Sequence, residues 1–217
     1  MILSDFIPAG STVFDIGAYQ GSFSWASLNA GASRVIAVEP QPDMVGCLHR
    51  MFEDEPRIEI VYAAVCDHIG YVELFPCKSL KSVSTIEPKW LQGRFRPHTF
   101  GEPIQVPAVT LDDLIAEYGM PAFVKLDVEG SEVAAINGLH QALPALSFEF
   151  THEYIDDALA CISRLDLLGD YEYSFTMGDV IAGLDAWERM PAFWNSFHFE
   201  MQQAPPIAWG MIYARLN

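Results

Sequence analysis

Val13-Phe14-Asp15-Ile16-Gly17-Ala18-Tyr19-Gln20-Gly21 is the stretch whose reading decides the fold. Thr12, Val13, Phe14 and Ile16 read as a short buried strand, interrupted only by Asp15. Gly17 and Gly21 follow, and Ser22 to Asn29 can form a helix. Strand, glycine turn and helix make the unit with which α/β sheets bring a nucleotide up to bare backbone and a helix N-terminus. A glycine pair that only lets strand and helix pack is the plain alternative. The turn alone does not choose between them.

Outward from this unit the chain alternates. Gly31 ends the first helix as a left-handed cap would. Arg34 to Glu39 is a second apolar strand ending in an acid, and Pro40 and Pro42 stop it and open a helix to about Glu53. Ile58 to Val65 is predicted as a third strand, with Tyr71 to Phe75 returning beside it or forming an edge. Residues 76 to 103 are rich in Ser, Pro and Gly without a period and read as a long loop. Ile104 to Val109 resumes order, and Thr110 caps a helix whose first turn holds Asp112 and Asp113. Ala122 to Asp127 is a fourth core strand, followed by Val128-Glu129-Gly130-Ser131-Glu132 and a helix to about Asn137. Ala145 to Phe150 is a fifth strand; Ile155, Leu159, Ile162 and Leu165 mark the next helix. Tyr171 to Thr176 and Ile207 to Ala214 read as closing strands, with an aromatic stretch from Trp187 to Phe199 between them. The expected fold is α/β: a doubly wound, mainly parallel sheet with helices on both faces, Rossmann-like. With no repeat or linker, residues 1–217 read as a single domain.

Composition narrows the function classes. Half of the residues are hydrophobic and 19% are charged, which suits a globular protein. A formal charge of −17 repels nucleic acid and anionic membrane, so neither is an expected partner. Cys47, Cys66, Cys77 and Cys161 have no ligand-pair spacing and read as reduced core thiols. The opening Met-Ile-Leu-Ser-Asp-Phe-Ile-Pro lacks the basic start and apolar run of a signal peptide, and no segment reaches a membrane span. The expectation is a cytoplasmic, soluble protein.

Ligands of doubly wound sheets bind beyond the carboxyl ends of the strands, where strand order reverses. That rim would gather Gly17 to Gly21, Glu39, Ala63 to Val65, Asp127 to Glu132 and Glu149 to Glu153. An acid at the second strand end can accept hydrogen bonds from ribose hydroxyls, which fits NAD or S-adenosylmethionine (AdoMet). A dinucleotide fingerprint wants Gly-x-Gly-x-x-Gly. Here Tyr19 fills the middle position, leaving Asp-x-Gly-x-x-x-Gly, the looser turn of AdoMet users.

Phe123-Val-Lys-Leu-Asp-Val-Glu-Gly-Ser-Glu132, Val13-Phe-Asp-Ile-Gly-Ala18, Val38-Glu-Pro40 and Val109-Thr-Leu-Asp-Asp-Leu114 together resemble the FkbM family of AdoMet-dependent methyltransferases. The likeness covers roughly residues 10 to 155, and the ending Trp209 to Arg215 is similar to some members. It implies a class I methyltransferase fold and methyl transfer to a hydroxyl, often on a sugar or polyketide. By the same resemblance Asp15, Gly17 and Gly21, with Ala18 and Tyr19, frame the amino-acid end of AdoMet. Glu39 with Pro40 holds the ribose, Ala64 and Val65 flank the adenine, and Asp127 faces the transferred methyl. Members usually have Asn where this chain has Tyr19, which bears on how the methionine end is held.

An aliphatic hydroxyl is a poor acid, so a base is expected within reach of its oxygen. His152 is the first candidate, oriented by Glu149, with Asp127 as the other acceptor of the proton. Helix capping is the plain role for Asp127 and Glu132, and an exposed loop position the plain one for His152. The main reading assigns no metal; a secondary one seats a divalent ion on Asp127, Glu149 and His152. If Lys125, Asp127 and Glu129 stay on an extended strand, they share one face. Lys78, Lys81, Lys89, Arg94 and Arg96, against Glu87 and Glu102, make residues 76–103 a basic segment suited to clamping an anionic acceptor. Trp187, Phe193 and Trp194 could stack on a sugar or simply fill the core. The reading is an O-methyltransferase for a small-molecule or glycan-like acceptor. The alternatives are an NAD- or nucleotide-sugar-linked oxidoreductase, or a non-catalytic AdoMet-binding module.

Overall fold

Thr12–Ile16 forms β1, which buries Val13, Phe14, Asp15 and Ile16. It pairs in parallel with β2 (Arg34–Glu39) on one side and β7 (Phe123–Leu126) on the other. The structure, a computed structural model, describes residues 5–178, 184 and 186–217. The expectation for the first four residues therefore lies outside it. Beyond β2 lies β3 (Ile58–Tyr62); beyond β7 come β8 (Ala145–Thr151), β10 (Trp209–Leu216) and β9 (Tyr171–Met177). The order is β3-β2-β1-β7-β8-β10-β9, and β10 runs antiparallel to both neighbours. This is the mainly parallel α/β sheet expected. Successive strands leave β1 in one direction and then return to its other side, so strand order reverses between β1 and β7.

Alternation along β1 divides the core. Phe14 and Ile16 join a cluster with α3 (Leu111–Tyr118), α4 (Glu132–Asn137), α5 (Ile155–Leu168) and α6 (Ala192–Gln203). Val13 points to the opposite face, toward α1 (Ser22–Ala30) and α2 (Pro42–Met51). Local chemistry places the helix ends. Gly31 closes α1 at φ 121, its N–H donating to Leu28 O. Thr110 and Asp113 exchange hydrogen bonds in a capping box before α3. Trp187, Phe193 and Trp194 resolve toward the core: Phe193 packs with Tyr173 and Phe197, Trp194 with Phe197, and Trp187 against Phe6 and Arg215.

Two expectations change. The predicted strand Ile58 to Val65 is two strands, because the chain leaves the sheet at Ala63. Its second piece, β4 (Ala64–Val65), pairs in parallel with β6 (Ile104–Val109) in a separate three-stranded sheet. β5 (Gly70–Leu74) pairs antiparallel with β6 and forms an edge of that small sheet, the second of the two placements expected for it. Residues 76–103 also have an interior. Cys77, Val83, Trp90 and Phe95 are buried together, with the Trp90 and Phe95 rings stacked at 4.3 Å. Three single-turn 3-10 segments carry this strap over the strand ends.

Candidate active site

The turn after β1 is tied down from both sides. Gly17 and Ala18 N–H donate to Val38 O of β2, and Asp127 N–H donates to Ile16 O. Gly17 sits at φ +81, and a Cβ there would lie 1.9 Å from the Asp127 carbonyl oxygen. Both facts demand glycine. Gly17→Ala is expected to cost about 2–4 kcal/mol, the sum of left-handed strain and a backbone clash; urea unfolding measures it. Gly21, at φ +77, meets the Phe52 ring instead, so its lack of a side chain serves the packing of α1.

Tyr19 is also left-handed, at φ 48, a region that Asn tolerates better than most residues. Its N–H donates to Glu39 Oε2 at 2.8 Å, and Gln41 N–H donates to Glu39 Oε1 at 2.8 Å. Glu39 is 2% exposed. Burial pushes its carboxyl up to about 7, because the two backbone donors offset only part of the desolvation. A carboxylate offers about four acceptor positions, so acceptor capacity remains for a ligand beyond the Tyr19 and Gln41 donors.

Two clefts open on this rim, enclosing about 490 Å³ and about 1020 Å³ with the adjoining solvent. Gly17, Tyr19 and Asp127 line both. The first also takes in Glu39, Pro40, Ala64 and Val65, with Ser84 and Ile86 from the strap. The second holds Asp15, Ala18, Phe23, Lys125, Ser147 and Tyr213. Asp15, on the α1 side of β1, lines the second cleft, and its Oδ2 accepts the Ser24 hydroxyl at 2.6 Å. Burial raises its pKa although Lys125 and Ser24 act against that.

Asp127 sits where the clefts meet, and Lys125 Nζ donates to its Oδ2 at 2.6 Å. Burial alone would lower the Lys125 pKa, but Asp127 and Asp15 outweigh it and hold the ammonium charged. Carboxylate oxygens of Asp127, Glu129 and Glu149 lie within 4.8 Å of one another. Glu149 is raised well above the carboxylate range, first by burial and then by Glu129 and Asp127. Glu132 is raised too, by burial, while its Oε1 accepts Val128 N–H at 3.1 Å.

His152 is not brought to this group. It lies in a 3-10 turn after β8, with Nε2 at 3.0 Å from Met201 O, and lines neither cleft. Glu149 therefore does not orient it. β7 ends at Leu126, so Glu129 does not share a strand face with Lys125; it occupies a turn at φ 53. The strap supplies groups that sequence reading passes over. Thr85 Oγ1 donates to Glu129 O at 2.6 Å, and Ser84 Oγ donates to Gln41 Oε1 at 2.8 Å. Of its bases, Lys81 pairs with Asp43 and Lys89 with Asp157; the Arg94 side chain lies outside the described part.

A model of the methyltransferase FkbM domain matches residues 15–173. A methyltransferase FkbM from Methylobacillus flagellatus shares the fold at a TM-score of 0.55 and 18% identity, over 94% of this chain and 43% of that one. The chain thus spans less than half of that relative. A precorrin-6y C5,15-methyltransferase from Geobacter metallireducens aligns at a TM-score of 0.50 and 11% identity, over 99% of this chain and 86% of its own. No curated protein matches in sequence. With 159 of 217 residues inside the matched domain, the chain belongs to the FkbM methyltransferase family.

Proposed function

We propose that the chain is an AdoMet-dependent O-methyltransferase, acting as one domain on a hydroxyl of a small-molecule or glycan-like acceptor. The observation that carries the cofactor reading is Glu39: a buried carboxylate, positioned by Tyr19 and Gln41 amides, with acceptor capacity left over and facing the first cleft. The surroundings fit AdoMet. Glu39 receives the ribose, while Ala64, Val65, Leu74 and Ile86 give an apolar seat for adenine. Gly17, Ala18 and Tyr19, with Asp15 behind them, frame the amino-acid end. The turn has no third glycine for a pyrophosphate, which disfavours a dinucleotide.

When bound, AdoMet supplies an electrophilic methyl on a sulfonium. The protein's tasks are alignment, exclusion of water and removal of the hydroxyl proton. Asp127, at the junction of the clefts, is assigned to receive that proton, and Lys125 balances its charge. The strap, with Arg96 and its neighbours, is assigned to an anionic group on the acceptor. No described helix is long and apolar enough to cross a membrane.

Calorimetry with S-adenosylhomocysteine (SAH) and with NADH tests the cofactor. SAH is expected to bind at micromolar levels and NADH at least about 100-fold more weakly, a difference of about 2.7 kcal/mol. Equal binding, or preference for NADH, would sink the reading. Turnover of a hydroxylated acceptor then separates an enzyme from a binding module.

A further inference from the structure

The rim carries a second chemistry beside the nucleoside cleft. Asp127, Glu129 and Glu149 bring three carboxylate oxygens within 4.8 Å of one another. Oxygen ligands at about 2.0–2.6 Å from one hard ion are separated by no more than about 4–5 Å, so a single ion can touch all three. Acids alone would be no argument. One of these, however, is not a surface acid: Glu149 Oε2 has no exposed area and accepts no hydrogen bond among the described residues. An unpartnered carboxylate oxygen out of water is costly, and either a proton or a cation relieves it. The nearby ammonium of Lys125 is already engaged by Asp127 Oδ2.

We propose that Asp127, Glu129 and Glu149 form a binding site for a hard divalent cation of the Mg²⁺, Mn²⁺ or Ca²⁺ class. An all-oxygen donor set selects such ions over zinc or copper. Three carboxylates fill only part of an octahedral or larger shell, and Asp127 lines both clefts. The site differs from the one expected on sequence: Glu129 replaces His152, whose ring is turned to Met201 O. Any use of the ion on a hydroxyl acceptor rests on the methyl-transfer reading; binding of the ion does not.

The test titrates the chelator-treated protein with MnCl₂ at physiological salt, following free aquo-Mn²⁺ by electron paramagnetic resonance without AdoMet. One Mn²⁺ per chain is expected, weakened at least about tenfold in Glu149→Gln. Glu129→Gln, on a partly exposed turn, should weaken it similarly and covers the case in which the buried variant misfolds. Asp43→Asn, which alters an exposed acid paired with Lys81, should leave the curve in place. No binding by the unaltered protein, or equal curves for it and both Gln variants, overturns the site. Parallel SAH calorimetry keeps the two readings apart: SAH binding without Mn²⁺ binding sinks only the ion, and Mn²⁺ binding without SAH binding sinks only the cofactor.

Discussion

Asp127→Asn is expected to lower the methyl-transfer kcat by about 10²–10⁴-fold, the usual range for removing a general base. SAH affinity should change by less than about threefold, because the ribose and adenine contacts assigned to Glu39, Ala64 and Val65 are untouched. The substitution keeps the shape and still offers Lys125 Nζ an oxygen, so the side-chain contact at 2.6 Å can persist. What it removes is a charge that can take a proton. A structural role alone would lower thermal stability and affinity together with rate. The discriminating reading is therefore kcat, measured beside SAH calorimetry on the same preparation. A kcat within about threefold of the unaltered protein would transfer the role to another group, with Glu149 next in position.

How much of this was legible follows from how local each cause is. β1 and its turn could be read directly, since an apolar run followed by Gly17 and Gly21 reports strand, close approach and helix start within ten residues. The rim was legible for a related reason: parallel strands put their carboxyl ends together whatever the loops do, so Glu39, Asp127 and Glu149 had to converge. The failures lie where a distant segment decides. Lys125, Asp127 and Glu129 look like one face of a strand, but β7 stops at Leu126. Gly130 then lets the Trp90 ring lie where a Cβ would be, 1.7 Å from its Nε1, and Trp90 comes from forty residues upstream. His152 follows a strand end in sequence, yet the carbonyl at the end of α6 takes its ring. Residues 76–103 read as a bare loop because Ser, Pro and Gly dominate them. Their order comes from four side chains, Cys77, Val83, Trp90 and Phe95, too widely spaced to show a period. The small sheet was missed because β4 has only two residues.

The acids of the site also predict an uncommon pH dependence: the protein should be more stable near pH 5.5 than near pH 8. Glu39 is raised from 4.5 to about 7 by burial. Between those values the folded chain keeps a proton that the unfolded chain has released, so stability is present below the lower value and is lost as pH rises through the upper one. At 1.36 kcal/mol per pH unit this one residue contributes a loss of about 2 kcal/mol between pH 5.5 and pH 8. Asp15, Glu132 and Glu149 are raised for the same reason and add with the same sign. The acids lowered by partners, Asp43, Glu55 and Asp112, act below their ordinary values and leave this window alone. Urea unfolding at pH 5.5, 6.5, 7.5 and 8 reads the slope, and Glu39→Gln should flatten it by most of its share. SAH should oppose the slope, because ribose hydroxyls donate to an ionised Glu39 and binding then drives off its proton. Stability that rises from pH 5.5 to 8, or a slope unchanged by Glu39→Gln, would mean that Glu39 is already ionised in the free protein. Its burial would then be offset by the Tyr19 and Gln41 amides alone, with no need of a ligand.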